Sequence, residues 1–140
     1  MRSEDIISGD WHTLGDAASA IRSTVFIDEQ RVPQEEEWDG RDPECHHFLA
    51  TLDGQPVGTA RLLPDGHIGR VAVLSSARGK GIGIQLMEAA IQAARDAGHT
   101  TAELSAQLHA LAFYERLGFV AYGDVFMDAG IPHRHMALTL

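Results

Sequence analysis

The sequence predicts one α/β domain in which a mixed, partly parallel sheet is flanked by helices. Three observations carry that expectation. Strand-like and helix-like patterns alternate along the chain, the arrangement of helices packed on a sheet. Asp53-Gly54 lies between two apolar β runs, HHFLATL and QPVGTARLL, a strong hairpin signal because Asp-Gly supplies the positive φ angles of a type I′ turn. From His67 to Gly98 a β-branched run through Val71 and Val73 meets the glycine-rich turn Arg78-Gly79-Lys80-Gly81-Ile82-Gly83 and then a long helical pattern. With 140 residues and 44% hydrophobic content, the chain has the size and the apolar material for a single domain over 1–140.

Each element has its own signal. Leu14, Ala17, Ala18, Ile21 and Val25 fall at helical spacing within Trp11 to Gln30, with Asp10 or Thr13 as N-cap. The pattern leaves room for one more strand ahead of this helix. The next segment, RVPQEEEWDGRDPECHH, is broken by Pro33, Gly40 and Pro43 and reads as a loop with at most a short helical turn. After the hairpin, Pro64-Asp65-Gly66 turns the chain into the strand that ends at Leu74. In the long helix Ile84, Met87, Ala90, Ile91 and Ala94 are expected in the core, and Gly98 suits the C′ position. A strand from Thr100 to Ser105, a short helix from Leu108 to Leu117 and two strands, Phe119 to Met127 and His133 to Leu138, complete the order.

Charge narrows the function. A formal net charge of −9 argues against nucleic-acid binding, which depends on basic surface to displace counterions. No apolar run approaches the ~20 residues of a membrane span, and the N-terminus lacks a signal peptide's basic and apolar regions, so a cytoplasmic protein is expected. The single cysteine, Cys45, and the lack of any CxxC exclude a cysteine-based zinc site. His46, His47, His133 and His135 invite a metal test. Alternation separates the first two and no carboxylate sits at a ligand-like spacing, so no metal is expected.

The glycine turn points to anion binding. The first turn of a helix leaves N–H groups unpaired at the positive end of the macrodipole, glycines let a phosphate approach, and Arg78 and Lys80 add charge. Neither GxGxxG nor GxxxxGK[ST] fits. The remaining R-x-x-G-x-G resembles the pyrophosphate loop of the GNAT superfamily of N-acetyltransferases. A second match, Gln107-Leu108-His109-Ala110-Leu111-Ala112-Phe113-Tyr114-Glu115-Arg116-Leu117-Gly118-Phe119, is similar to that family's N-x-x-A-x-x-[FL]-Y-E-K-L-G-F signature. The resemblance implies a mostly antiparallel sheet of six to seven strands splayed around acetyl coenzyme A. Val71, Ala72 and Val73 would offer backbone hydrogen bonds to the pantetheine and acetyl carbonyl. Arg78, Gly79, Lys80, Gly81, Ile82 and Gly83 would hold the diphosphate, Gln107 would stand in for an asparagine on the pantetheine arm, Phe113 would join the coenzyme site, and Tyr114 would protonate the departing thiolate.

Further patterns resemble the ElaA- and YjcF-like branch: Arg22-x-x-Val25-Phe26-x-x-Glu29-Gln30-x-Val32-Pro33, Glu37-x-Asp39-x-x-Asp42, His47 and Gly130-Ile131-Pro132-His133-x-x-Met136. That branch does not name the acceptor; Arg22, Glu29, Glu36, Asp39 and His133 are the candidate substrate-binding residues. The expected activity is transfer of acetyl to a primary amine by direct attack in a ternary complex; the alternative is a non-catalytic acyl-coenzyme A sensor. An amine of pKa ~10.4 must lose a proton before it attacks. Arg70 stands on the strand where some relatives carry a glutamate base, which leaves His47, Glu37 and His133, or a water, to serve. The acidic stretch Glu35 to Asp39 is either a solvated face or a wall that attracts a cationic amine. A homodimer is expected by analogy alone.

Overall fold

The computed structural model describes residues 4–140. Among them, β1 (Glu4–Gly9), β2 (His46–Leu52), β3 (Gln55–Leu62) and β4 (Ile68–Val73) form one antiparallel sheet in that order. β5 (Thr101–Gln107), β6 (Val120–Asp128) and β7 (Ile131–Thr139) form a second, with β7 in the middle. The strand allowed for ahead of the first helix is present as β1. The expected parallel pairing shrinks to one bridge, His67 to Glu103. The reason lies in the connections. β2–β3 and β6–β7 are hairpins whose turns, Asp53-Gly54 (φ 52° and 81°) and Ala129-Gly130 (φ 53° and 75°), take the two positive angles of type I′. Only the long crossover from β4 to β5 brings strands in parallel, and those two part beyond the bridge, so the sheets splay.

One register change shapes the opening. Thr59 faces Ala72 and Arg61 faces Gly69, so β3 advances two residues while β4 advances three. β4 therefore bulges, with Arg70 and Val71 opposite Ala60. Arg70 carries φ 51°, the left-handed region that a non-glycine residue seldom enters.

α3 (Ile82–Asp96) packs over one sheet face with Ile82, Leu86, Met87, Ala90, Ile91 and Ala94 buried against Phe48, Ala60, Leu104 and Met136. Ile84, expected in the core, is exposed. It lies about 200° round the helix from Ile82, and Ile82 sets the buried phase. α1 (Trp11–Arg22) starts at Asp10, whose carboxylate accepts from the Thr13 N–H at 2.8 Å, and buries Leu14 and Ile21 with Val25 against Leu49 and Ala72 on the opposite face. It then widens into a π-helical turn over Ser23–Glu29. The acidic segment holds two short helical pieces, α2 (Gln34–Glu37) and a 3₁₀ turn at Asp42–Glu44. The last expected helix is α4 (Leu111–Glu115), preceded by a 3₁₀ turn and closed by Gly118 at φ 100°.

The acidic segment is fastened down by ion pairs. Arg22, almost wholly buried, reaches Glu37 Oε2 through Nε and Asp42 Oδ1 through Nη1, both at 2.7 Å, while Trp38 covers its guanidinium at 4.8 Å. Arg61 binds Asp39 at 2.6 Å and Asp42 at 3.1 Å. His47 lies under Trp11, its Nε2 2.9 Å from the Asp42 carbonyl, to which it donates. Removing one partner from a buried network strands the others, so Arg22→Ala is expected to cost about 3–5 kcal/mol. In urea unfolding, the midpoint should fall by that amount divided by the slope, with the slope unchanged.

A pH effect follows from His47. Burial holds its imidazole below the usual histidine range, against the pull of the Asp42 carbonyl. The unfolded chain takes up the proton near 6.5 while the native state resists, so stability is lost as pH falls below that value. Glu37 acts with the opposite sign, since burial raises its carboxyl above 4.5 and its contribution weakens as pH rises. The His47 part is isolated by difference: His47→Gln should narrow the stability gap between about pH 7.5 and pH 5.5.

Candidate active site

Where β4 and β5 part, two clefts open and meet. One, of about 400 Å³, is lined by Gly79, Gly81, Gly83, Ile84 and Phe113. The other, of about 470 Å³, runs down β4 past Gly69 and Arg70 to Arg41 and His67, with Gln107 and His133 on its far wall. Val71 and Tyr114 line both. Neighbours on a regular strand face opposite sides, yet Arg70 and Val71 both line the second cleft, which the bulge and the positive φ allow.

The first cleft has the form of an anion cradle. Gly81 caps α3 at φ 77° and offers no side chain to bond the N–H groups of the helix's first turn. A Cβ built at Gly79 or Gly81 meets nothing within 4 Å, so the loop backbone is bare. Gly83 packs on Phe113, which a Cβ would approach to 3.3 Å. Lys80 stands half-buried beside the loop. The far edge of β4 has no ladder partner among the described residues beyond the His67 bridge, leaving backbone groups near Val71 and Val73 for an extended ligand. Ala72 is buried against the α1 side, so only its backbone is available to such a ligand. A helix N-terminus, bare glycines and a free strand edge fit the diphosphate and pantetheine of a coenzyme A thioester. Arg78 lines this cleft, with its guanidinium drawn to the Val73 carbonyl at 2.9 Å and to Glu29 at 3.0 Å.

Several expected site residues sit elsewhere. Arg22 is enclosed in the ion network and does not reach either cleft. Glu29 faces Arg78 at the coenzyme loop instead of the acceptor side. His47 is shut in by Trp11 and Asp42 and lines neither cleft. Asp39 is taken by Arg61 and Arg70, and the Arg61 guanidinium holds its carboxyl well below the usual range. Glu37 does line the second cleft, but its carboxylate is shared between Arg22 at 2.7 Å and Arg70 at 3.2 Å. Glu36 lines the cleft and is exposed. The acidic stretch thus spends half of its acids, Glu37 and Asp39, on arginines. Gln107 lies on the second cleft, donating to Gln30 Oε1 at 2.9 Å across the gap between β5 and the π-helical turn.

His133 and Tyr114 reach the second cleft from different elements. His133 pairs with Gln107 in the β5–β7 ladder and its Nδ1 lies 2.7 Å from the Ile131 carbonyl. A carbonyl only accepts, so Nδ1 carries the hydrogen and Nε2 of the neutral ring is a free base. Tyr114 packs edge-on against Phe113 at 5.0 Å, and burial pushes its phenol up to about 12. Arg61, Arg70 and Gln30 were not singled out as site residues by the sequence. Gln30 stands within a quoted pattern, but nothing local announces the bulge that turns Arg70 inward.

The family model described as the acetyltransferase (GNAT) domain matches residues 15–140. Over 120 residues the chain is 39% identical to the N-acetyltransferase YjcF of Bacillus subtilis, covering 83% of this chain and 86% of that one. The crystal structure of an acyl-CoA N-acyltransferase from Pseudomonas aeruginosa superposes with a TM-score of 0.88 at 40% identity, covering 98% of this chain and 100% of that one. Escherichia coli ElaA superposes at 0.86 with 27% identity, covering 97% and 99%. A family match through most of the chain and similarity to both YjcF and ElaA place the protein in the GNAT acetyltransferase family, in the ElaA/YjcF-like branch.

Proposed function

We propose that the protein transfers acetyl from acetyl-CoA to the primary amine of a small acceptor by direct attack in a ternary complex. The observation that carries this reading is the junction: Val71 and Tyr114 line both clefts, so a donor in one and an acceptor in the other meet at a strand backbone and a phenol. Acetyl-CoA supplies an activated thioester. The glycine loop and the N-terminus of α3 hold its diphosphate, and backbone groups at Val71 to Val73 orient the acyl end. Holding the two reactants together supplies the larger part of the acceleration.

His133 Nε2, with Nδ1–H fixed on the Ile131 carbonyl, takes the proton from the attacking amine. Tyr114 remains protonated, and its O–H faces the leaving sulfur as a hydrogen-bond donor. With the phenol near 12 and a thiol near ~8.5, complete transfer would be uphill by roughly 5 kcal/mol. Tyr114 therefore stabilises the departing thiolate through a charge-assisted hydrogen bond, and the thiol's final proton comes from solvent.

Tyr114→Phe is expected to lower kcat by about 10²-fold with the acetyl-CoA KM little changed. Equal kcat in a thiol-release assay would reduce Tyr114 to packing. His133→Gln should lower kcat by a similar ~10² with the acetyl-CoA KM little changed, because the group that takes the amine proton is gone. For the cradle, Gly83→Trp should abolish thermal stabilisation by acetyl-CoA while circular dichroism remains native. Undiminished stabilisation would place the coenzyme elsewhere.

A further inference from the structure

The acceptor cleft gathers cations in an acidic protein. Of 11 lysines and arginines in a chain of net charge −9, Arg41, Arg61 and Arg70 line this one cleft, all on the wall below Val71. Four carboxylates line the same cleft, Glu36, Glu37, Asp65 and Asp128, and two of them, Glu37 and Asp65, face a basic side chain. Glu37 is held by Arg22 and Arg70, and Asp65 lies 3.0 Å from His67. Asp39 and Asp42, which fix the Arg61 guanidinium, do not line the cleft.

Two donors on this wall are unsatisfied. Arg61 Nε is buried without a hydrogen-bond partner among the described residues, and so is Arg70 Nε, which lies 3.2 Å from Glu37 without hydrogen-bond alignment. A buried donor left unpaired is costly, and an incoming acceptor atom would recover part of that cost. Space is provided beside them. Arg61 is the ladder partner of Gly69, and a Cβ at Gly69 meets nothing within 4 Å. β4 is bare there.

We infer that the acceptor is an amino acid, whose carboxylate is held by Arg61 and Arg70 over Gly69 while its amine reaches the junction at Val71. The inference rests on the acetyltransferase reading above. The placement agrees with it: Gly69 and Val71 flank the bulged Arg70, so the open slot adjoins the junction. In an α-amino acid the carboxylate oxygens lie about 3 Å from the amine nitrogen, and a hydrogen bond to a guanidinium adds about 2.9 Å.

The test is thiol release from acetyl-CoA by the full chain. Its acceptors are the common amino acids, β-alanine and γ-aminobutyrate, each beside its carboxamide, with spermidine as the polycation. At least one free amino acid should exceed its own carboxamide by 10-fold or more in kcat/KM, the value of about one charge-assisted contact. Arg70→Gln should raise the KM for that amino acid by about 10-fold or more while the acetyl-CoA KM stays the same. Gly69→Leu, which the open space accommodates, should do so by filling the slot and stands as the second variant if Arg70→Gln does not fold. Carboxamides equal to the acids, a preference for spermidine, or a KM unmoved in Gly69→Leu would overturn the inference and leave the acetyltransferase reading standing. No thiol release with any acceptor would remove that reading, and the inference with it.

Discussion

One extra residue in β4 sets the geometry on which the rest depends. Because Arg70 and Val71 together face Ala60, the strand turns at that point and ceases to follow β3 in regular register. A regular β4 would send Arg70 and Val71 to opposite faces. The bulge places both on one cleft, a cation and an apolar backbone position side by side, and leaves the outer edge of β4 free of a ladder. The left-handed backbone at Arg70 carries a strain of order 1 kcal/mol, and its ion pair to Glu37 with bonds to the Glu36 and Glu37 carbonyls helps hold it there.

The ion network does for the wall what the bulge does for the strand. Arg22, Arg61 and Arg70 face Glu37, Asp39 and Asp42, so the cluster is formally neutral and fixes a segment that has little regular structure of its own. Such a network is a weak source of net stability, because desolvation offsets attraction, but it is costly to break. Its effect on function is positional. Asp39 and Asp42 clamp Arg61 by both terminal nitrogens, so whatever Arg61 offers to the cleft is offered in one orientation.

Much of this was legible in the sequence, for local reasons. Hairpin turns, the Asp10 cap, the glycine loop and the core face of α3 depend on residues near one another in the chain, and the family motifs named Tyr114 and the cradle. Long-range terms were not legible. Two β runs separated by a helix promised parallel pairing, but whether β4 and β5 stay together depends on tertiary packing. Ile84 has the composition of a core residue and the wrong phase relative to Ile82. His47 and His133 are equivalent as isolated imidazoles; only the fold encloses one beneath Trp11 and sets the other beside Gln107. The acidic stretch could be read as a solvated face or a negative wall because its arginine partners are far away in sequence, the Arg61–Asp39 pair spanning 22 residues and the Arg70–Asp39 pair 31.

The clefts therefore meet at a seam between two sheets, and separate elements each contribute lining residues to it. β4 brings backbone and arginine, β7 brings His133, and the chain after β5 brings Tyr114, each fixed by packing within its own unit. The two units are held to one another by the core beneath, where Leu86 and Met87 of α3 pack in one cluster with Phe48 of the first sheet and Leu104 and Met136 of the second. Cohesion thus comes from apolar burial under the seam, and the ladder that would have closed it is dispensed with. A site placed there can leave backbone hydrogen-bonding groups unpaired at its surface without loosening the core, and those groups are what a linear pantetheine arm needs.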